Sequence, residues 1–226
     1  MPTLVITNKC YSSWSLRPWL LMKQLGVAFD EITIPLDLPD TKEKVLKYSP
    51  AGKVPILIDG DVTVWESIAI MEHVGDAYGA PVWPENREAR AMARSVAAEM
   101  HASFTALRSA CPMNLGKKYE SRDRGEGVAC DVARFSTIVR EARERFGAGG
   151  PFLFGAFSAA DAMYAPLATR LDTYSIDLDT TTRAYVDTIL SLPAFREWRS
   201  AALKEEWIVP ADEVDEDAIE NYRKAA

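Results

Sequence analysis

Three short polar clusters in the first third of the chain carry residue types that can hold a small anionic or peptide-like molecule. The first cluster is Ser12-Ser13-Trp14-Ser15, which lies between an apolar run at 4–7 and an amphipathic stretch at 16–25. Serine is a favoured helix N-cap, so these residues have a purely structural interpretation. A helix N-terminus also stabilises anions, and a hydroxyl there can donate to a bound thiolate and lower the pKa of that thiol.

The second and third clusters are Val54-Pro55 and Glu66-Ser67. X-Pro bonds adopt the cis form at modest cost, and we expect a cis Val54–Pro55 bond with outward backbone groups that pair with a peptide-like ligand. An ordinary trans proline at a strand start is the alternative. Glu66 and Ser67 are good first-turn residues of a helix. They also match an α-amino-acid head group, because Ser67 and helix N–H groups bind a carboxylate while Glu66 binds an ammonium.

The order of predicted elements in residues 1–80 indicates how these clusters are positioned. Apolar runs at 4–7 and 29–34 predict strands, and helical stretches follow at 16–25 and 41–48. Residues 54–58 and 62–65, separated by Asp59-Gly60, have the pattern of a β-hairpin, and a helix from Glu66 to Tyr78 follows. The order β-α-β-α-β-β-α predicts an α/β domain with a mixed sheet.

The rest of the chain predicts an all-α domain. A proline-rich break covers 81–87, and residues 88–226 form the second unit, which ends in an acidic tail. Apolar residues then recur every three or four positions, the spacing of one helix face, over 85–111 and again over 122–147. The first series consists of Met92, Val96, Met100, Phe104, Leu107 and Cys111. We expect a continuous helix there, with an apolar stripe that the helical core does not fully cover.

Composition excludes several classes of protein. The net charge is −7, and residues 204–226 contribute −5 of it, so no basic stripe for nucleic acid is present and the tail is expected to be solvated. Three scattered cysteines and two histidines lack metal-ligand spacing, which argues against a metal site. Unpaired thiols and the lack of a signal-peptide pattern favour a cytoplasmic protein. The lack of a long apolar run predicts that the protein does not enter the membrane.

The ordered motifs resemble the cytosolic glutathione S-transferases over most of the chain. Ser12 to Arg17, Val54-Pro55, Asp59-Gly60 and Glu66-Ser67 are similar to the thioredoxin-like N-terminal domain of that family. Ser158 to Asp161 resembles its buried capping box, which makes Asp161 structural and not catalytic. Pro166 and the run Pro193 to Trp198 continue the likeness. The resemblance implies a thioredoxin-like domain followed by a helical domain.

The resemblance also implies a site and a reaction. Ser12 lies five residues before Arg17 and matches the catalytic serine of the zeta and tau classes. The activity that this match implies is a serine-assisted attack of the glutathione thiol on a small electrophile. Glutathione is the co-substrate, no metal is needed, and a homodimer is expected. The residues that the resemblance assigns to glutathione are Ser13, Lys53, Val54, Pro55, Glu66 and Ser67.

Several alternatives stay open at this stage. Zeta-type isomerases carry a cysteine where this chain has Trp14, which argues against that activity. A thiol–disulfide reductase or peroxidase would need a cysteine at position 12. A non-catalytic protein that binds glutathione or another ligand is the third alternative. His101 and Arg108 are expected on a helix that faces the cleft, where they form the candidate substrate pocket with Trp14. Arg108 suits an anionic substrate, and His101 suits a proton transfer. The alternative is that each is an ordinary packed or partly exposed residue.

Overall fold

The computed structural model describes residues 1–223, and its first eighty residues form an α/β layer. The elements are β1 (Thr3–Ile6), α1 (Ser13–Gln24), β2 (Asp30–Thr33), α2 (Thr41–Leu46), β3 (Ile56–Asp59), β4 (Val62–Trp65) and α3 (Ser67–Tyr78). The sheet order is β2-β1-β3-β4, in which β1 pairs parallel with β2 and antiparallel with β3. The predicted element order and the mixed sheet are confirmed.

The central strand and the hairpin follow from local sequence. Leu4, Val5 and Ile6 of β1 are fully buried, as expected for a strand covered on both faces. Asp59 pairs with Val62, which leaves a two-residue turn in which Gly60 has φ 59°. Glycine reaches this left-handed conformation without steric cost, so the Asp59-Gly60 signal predicts the turn correctly.

Helices dominate the second half. They are α4 (Arg87–Ala102), α5 (Thr105–Ala110), α6 (Glu126–Phe146), α7 (Ala159–Thr173), α8 (Thr180–Ser191) and α9 (Pro193–Ala202). Helix α7 is buried almost throughout and packs against α1, α4 and α8. An α/β domain followed by a helical domain is the predicted fold class, and it is confirmed.

The continuous helix predicted over 85–111 is wrong. The chain leaves α4 at Ser103, and Phe104 adopts φ 60° before α5 begins. The Phe104 ring is buried edge-on against Tyr164, with ring centroids 5.9 Å apart, and this burial offsets the cost of a left-handed backbone. The periodic pattern does not reveal the break, because Leu107, which follows the break, is buried just as the apolar residues before it are.

The apolar stripe expected to be uncovered is used within the chain. Val96, Met100, Phe104 and Leu107 are all buried in the core of this single chain, and Met92 packs against that core. The stripe therefore gives no support for a subunit interface, contrary to the expectation from the sequence.

The acidic tail is not simply solvated. Beyond α9, a short turn at Pro210–Asp212 and the strand β6 (Ala218–Asn221) fold back, and β6 pairs antiparallel with β5 (Lys117–Tyr119). Glu213 accepts hydrogen bonds from Tyr11 Oη at 2.6 Å and Lys117 Nζ at 2.7 Å. The expectation of a free acidic end fails because cationic and hydroxyl partners elsewhere in the chain pair with its carboxylates.

The capping box at the start of α7 is present. The Asp161 carboxylate accepts from the Ser158 N–H at 2.9 Å and the Ser158 hydroxyl at 3.0 Å. It also accepts from the Leu153 N–H at 3.0 Å and Tyr185 Oη at 3.1 Å, which ties α7 to the preceding loop and to α8. Burial raises the pKa of Asp161 to about 6, while these hydrogen bonds act in the opposite direction.

Candidate functional site

The N-terminus of α1 joins the hydroxyls of Ser12 and Ser15 in a short hydrogen-bond network. Ser12 is the N-cap, and its Oγ accepts from the Ser15 N–H at 3.3 Å. The two hydroxyl oxygens of Ser12 and Ser15 are 2.8 Å apart, and Ser15 Oγ accepts from the Thr7 N–H at 3.3 Å. The first turn of α1 therefore holds a connected pair of hydroxyls over helix N–H groups, where an anion is favoured.

A cavity of about 850 Å³ opens at this helix terminus. Ser12, Ser13 and Trp14 line it, whereas Ser15 is fully buried beneath the surface. The serine assigned to catalysis from the sequence thus lies at a cavity large enough for a small molecule.

The loop before β3 lies beside a second cavity of about 400 Å³. The Val54–Pro55 bond is cis, as predicted. Lys53 and Val54 line both cavities, and Pro55 lines the smaller one. Three of the residues assigned to glutathione from the sequence are therefore neighbours at the junction of the two cavities.

Glu66 has a strained backbone at the start of α3. Its φ of 69° and ψ of 127° lie where a non-glycine residue costs on the order of 1–3 kcal/mol, and such strain is concentrated at functional sites. Its side chain lines the smaller cavity, and its Oε2 lies 3.7 Å from His101 Nε2. Glu66 is thus placed to meet a cationic group.

Ser67 departs from the sequence-based expectation. Its side chain is fully buried, lines neither cavity and directs its hydroxyl toward Met163 Sδ at 3.9 Å. What α3 still offers at this end is its first-turn N–H groups, which have no intrahelical acceptor in any α-helix. The inward direction of the hydroxyl depends on a contact with a residue 96 positions away, which short-range sequence patterns cannot reveal.

Trp14, His101 and Arg108 come together as the sequence analysis expected for a pocket. All three line the smaller cavity, and Arg108 also lines the larger one. The His101 ring meets Trp14 edge-on at 5.1 Å, and the Arg108 guanidinium carbon lies 4.9 Å from the Trp14 ring centroid. Burial and nearby Arg17 lower the pKa of His101, which favours the neutral imidazole near pH 7.

The sequence analysis missed two groups of residues at the larger cavity. Tyr11 lines it, but its hydroxyl donates to Glu213 and accepts from Arg223 at 3.1 Å, and burial raises the pKa of this phenol. Arg170 and Asp212, from the helical half and the tail, line the same cavity. Glu213, Arg170 and Asp212 are far from Tyr11 and Ser12 in the sequence, so no local signal pointed to these contacts.

The cysteines differ from thiols activated for redox chemistry. Burial raises the pKa of Cys10 to about 11 and that of Cys111 to about 11, so both stay protonated near pH 7. Cys130 is exposed on α6 and lines neither cavity.

Two further features concern metals and membranes. Across residues 1–223 no group of three or more His, Cys, Asp or Glu side chains is arranged to hold a metal ion. In that same part of the chain, every helix is too short or too polar to span a bilayer.

Comparison with known families assigns the chain to a class. Residues 11–77 match the family described as glutathione S-transferase, N-terminal domain, and residues 89–201 match glutathione S-transferase, C-terminal domain. Because these matches cover most of the chain, the protein belongs to the glutathione S-transferase family.

Individual relatives are more distant. A probable maleylacetoacetate isomerase of Caenorhabditis elegans is 25% identical over 202 residues, which is 86% of this chain and 91% of that protein. A dichloromethane dehalogenase of Methylorubrum extorquens is 43% identical over 65 residues, but the match spans only 27% of this chain and 23% of the dehalogenase.

Solved structures share the fold at low sequence identity. A glutathione transferase homologue from Burkholderia, with bound glutathione, has a TM-score of 0.66 at 22% identity and covers 89% of this chain and 97% of its own. A tau-class enzyme from mango has a TM-score of 0.67 at 18% identity, covering 88% of this chain and 92% of its own.

Proposed function

We propose that the protein is a serine-type glutathione transferase in which Ser12 activates the glutathione thiol for attack on a small electrophile. The observation that carries the proposal is the position of the Ser12 hydroxyl, at the N-terminus of α1 and on the wall of the larger cavity. The relatives of this chain in the family include glutathione-dependent enzymes. The Burkholderia homologue, which has the same fold, holds glutathione.

The chemistry needs only a stabilised thiolate. The glutathione thiol loses its proton to solvent, and the sulfur anion receives a hydrogen bond from the Ser12 hydroxyl and the field of the α1 N-terminus. The thiolate then forms a carbon–sulfur bond to the electrophile, and the leaving group departs with the electron pair of the broken bond. Fixed donors around the sulfur supply the electrostatic stabilisation.

Glutathione is proposed to span both cavities. Its γ-glutamyl ammonium lies at Glu66, and its α-carboxylate lies at the N–H groups that open α3, including that of Ser67. The backbone groups of Val54 pair with the peptide portion, next to Pro55. Lys53, which lines both cavities, supplies a cation for the glycyl carboxylate. Ser13 lines the larger cavity beside the sulfur position.

A zeta-type isomerase is the second candidate, and it has one specific observation in its favour. The C. elegans relative matched along most of this chain is described as a probable maleylacetoacetate isomerase. Against it, Trp14 stands where zeta-class proteins carry a cysteine, and its ring fills part of the smaller cavity wall. Isomerisation of maleyl compounds in the presence of catalytic glutathione would distinguish this activity from conjugation.

A homodimer is proposed from family membership. Val62 and Trp65 of β4 are exposed apolar side chains in the single chain and are available for a subunit contact. Light scattering at micromolar concentration should give twice the 25.1 kDa chain mass, and a monomeric mass would contradict the proposal. A cytoplasmic location stays a prediction, supported by the three unpaired cysteines among the described residues.

Calorimetry with glutathione, followed by a conjugation assay, tests the proposed function. The wild type should bind glutathione and conjugate at least one of a panel of aryl halides and epoxides. Binding without turnover would favour the non-catalytic ligand-binding alternative. Absence of glutathione binding would overturn the transferase proposal.

A further inference from the structure

Three arginine guanidinium groups lie on or behind the walls of the candidate site, and none forms an ion pair with a carboxylate of residues 1–223. The guanidinium carbons of Arg17 and Arg108 lie 4.1 Å and 4.9 Å from the centroid of the same Trp14 ring. Arg170 lines the larger cavity together with Arg108. In the described part of the chain, no Asp or Glu oxygen comes within 4.0 Å of a nitrogen of any of the three.

Arg17 is the most unusual of the three. Its side chain is fully buried, and its Nε and Nη1 have no hydrogen-bond partner among residues 1–223. A guanidinium does not lose its charge under ordinary conditions, and a buried charge without an ionic partner is costly. Contact with the Trp14 ring recovers only part of that cost. Arg17 therefore places an uncompensated positive charge directly behind Trp14, which lines both cavities.

The other two arginines are also incompletely paired. Arg170 is buried and donates to the Cys111 carbonyl at 2.8 Å and the Pro166 carbonyl at 3.3 Å, both neutral acceptors. Arg108 makes one long contact, from Nη1 to the Ser103 carbonyl at 3.4 Å. Burial and the charge of Arg108 lower the pKa of Arg170 to about 10, and burial lowers that of Arg108 as well. The nearby Asp212 carboxylate acts in the opposite direction on the pKa of Arg170. Among residues 1–223 it forms no ion pair with that arginine, so neither Arg108 nor Arg170 has a salt-bridge partner there.

The larger cavity carries an excess of positive charge in an acidic protein. Its walls include four cationic side chains and two carboxylates, which are Lys42, Lys53, Arg108, Arg170, Asp37 and Asp212. The whole chain has a net charge of −7, so the cavity is a local exception. A cavity lined mainly by one sign of charge concentrates the opposite ion and raises its rate of entry.

We propose that the electrophile carries a carboxylate, which Arg108 and Arg170 bind in the larger cavity while Arg17 supports Trp14 and adds positive charge from behind it. The proposal rests on the proposed transferase function and names its substrate class. Arg108 and Ser12 line the same cavity, so a carboxylate at Arg108 keeps the rest of a small substrate near the sulfur position.

The γ-glutamyl end of glutathione does not explain Arg170, although it can approach Arg108, which lines both cavities. Glu66, the proposed partner of the glutathione ammonium, lines only the smaller cavity, whereas Arg170 lines only the larger one. The first-turn N–H groups of α3 and Lys53 remain for the two carboxylates of glutathione. Arg170, with Asp212 beside it, therefore lies on the side of the larger cavity that the γ-glutamyl end does not reach.

A matched pair of probes tests the carboxylate requirement. The probes are 4-chloro-3-nitrobenzoate and its methyl ester. With each, the glutathione sulfur attacks the ring carbon that bears chlorine, a carbon–sulfur bond forms, and chloride leaves with the bonding electron pair. Each kcat/KM is divided by the uncatalysed rate constant, which removes the intrinsic difference in reactivity. We expect this normalised value to be at least ten-fold higher for the benzoate, and an equal or lower value would overturn the proposal.

Variants assign the preference to the arginines. Arg108→Gln should reduce the ratio of benzoate to ester by ten-fold or more, whereas Arg87→Gln, an exposed arginine at the start of α4, should retain the wild-type ratio. An unchanged ratio in folded Arg108→Gln would contradict the assignment. Because Arg17 and Arg170 are buried, their variants are used only where circular dichroism shows a native fold.

Binding of the reaction products gives a readout that does not depend on turnover. Calorimetry compares S-(4-carboxy-2-nitrophenyl)glutathione with its methyl ester, and the acid should bind at least ten-fold more tightly. If neither chlorobenzoate reacts, this comparison decides the proposal alone. Equal binding of the two conjugates by a protein that binds glutathione would overturn the carboxylate subsite only. Failure to bind glutathione itself would overturn the proposed function together with it.

Discussion

The hydroxyl oxygens of Ser12 and Ser15 lie 2.8 Å apart at the first turn of α1. Each hydroxyl can rotate to donate or accept, and Ser15 Oγ already accepts from the Thr7 N–H. When the Ser15 hydroxyl donates to Ser12 Oγ, the Ser12 proton is left for a sulfur in the larger cavity. Ser15 is thus a positioning residue for Ser12, a role that the sequence analysis did not assign to it.

Ser15→Ala should therefore weaken thiol activation without abolishing it. The variant removes the hydroxyl that lies 2.8 Å from Ser12 Oγ but keeps the Ser15 N–H that donates to it. We therefore expect a several-fold loss of kcat and a smaller rise in the pKa of bound glutathione than Ser12→Ala causes. The pH profile of kcat measures this, with Ser95→Ala on the exposed face of α4 as the control. A profile identical to wild type would remove Ser15 from the activation network.

Glutathione affinity should depend more on Glu66 than on the Ser67 hydroxyl. The Glu66 side chain lines the smaller cavity, whereas the Ser67 hydroxyl is buried against Met163. Glu66→Gln should weaken glutathione binding several-fold, within the range of about 1.5–3 kcal/mol for a charged hydrogen bond and reduced by solvent exposure. Calorimetry compares it with Ser67→Ala and with Glu88→Gln, an exposed control on α4. A larger loss in Ser67→Ala would show that the hydroxyl rotates to meet the ligand.

Local signals predicted the parts of the fold that local chemistry determines. The Gly60 turn, the Ser12 cap and the Ser158–Asp161 capping box all depend on residues within a few positions of one another. The break at Phe104 could not be predicted, because it depends on a buried contact with Tyr164 on another helix.

The candidate site divides in the same way. Ser12, Trp14 and Val54, which the sequence singled out because each belongs to a short motif, all line the larger cavity. Arg170 and the Tyr11–Glu213 pair come together only through tertiary folding, since 202 positions separate Tyr11 from Glu213. The negative net charge of the tail predicted that the tail is solvated. Its actual position depends on which of its carboxylates pair with groups in the rest of the chain.

Removing the Glu213 carboxylate should destabilise the folded chain. Tyr11, Asn114 and Lys117 all donate to this carboxylate, so Glu213→Ala leaves three donors without their acceptor. We expect a loss on the order of 1–3 kcal/mol in the free energy of unfolding. Chemical denaturation measures it against Glu220→Ala on the exposed face of β6. Equal stability of the two variants would support a free tail.

Asp161 should act on stability and not on catalysis. Asp161→Ala leaves the N–H groups of Ser158 and Leu153 without an acceptor, which typically costs about 1–3 kcal/mol, so its melting temperature should fall. The turnover of folded protein should stay near wild type. A stable but inactive variant would contradict the structural role.

The stabilising effect of Asp161 should also depend on pH. Its folded-state pKa of about 6 lies above the ordinary value of 3.8, so the folded state holds its proton more tightly. The advantage of wild type over Asp161→Asn should then be largest below pH 3.8 and decrease as the pH rises to 6, by about 1.4 kcal/mol per unit of pKa difference. Denaturation of both proteins across this range measures the change. An advantage that grows with pH would mean that the hydrogen bonds outweigh burial.

The most direct test of the account is the titration of bound glutathione, followed by ultraviolet thiolate absorbance, in wild type and in the Ser12→Ala and Ser13→Ala variants. The wild type should hold the thiol pKa below the ordinary value of about 8.5. Ser12→Ala should raise that pKa and reduce kcat roughly ten- to a thousand-fold, with little change in glutathione affinity. Ser13→Ala should titrate like wild type. A midpoint that rises in Ser13→Ala and stays unchanged in Ser12→Ala would contradict the central role of Ser12.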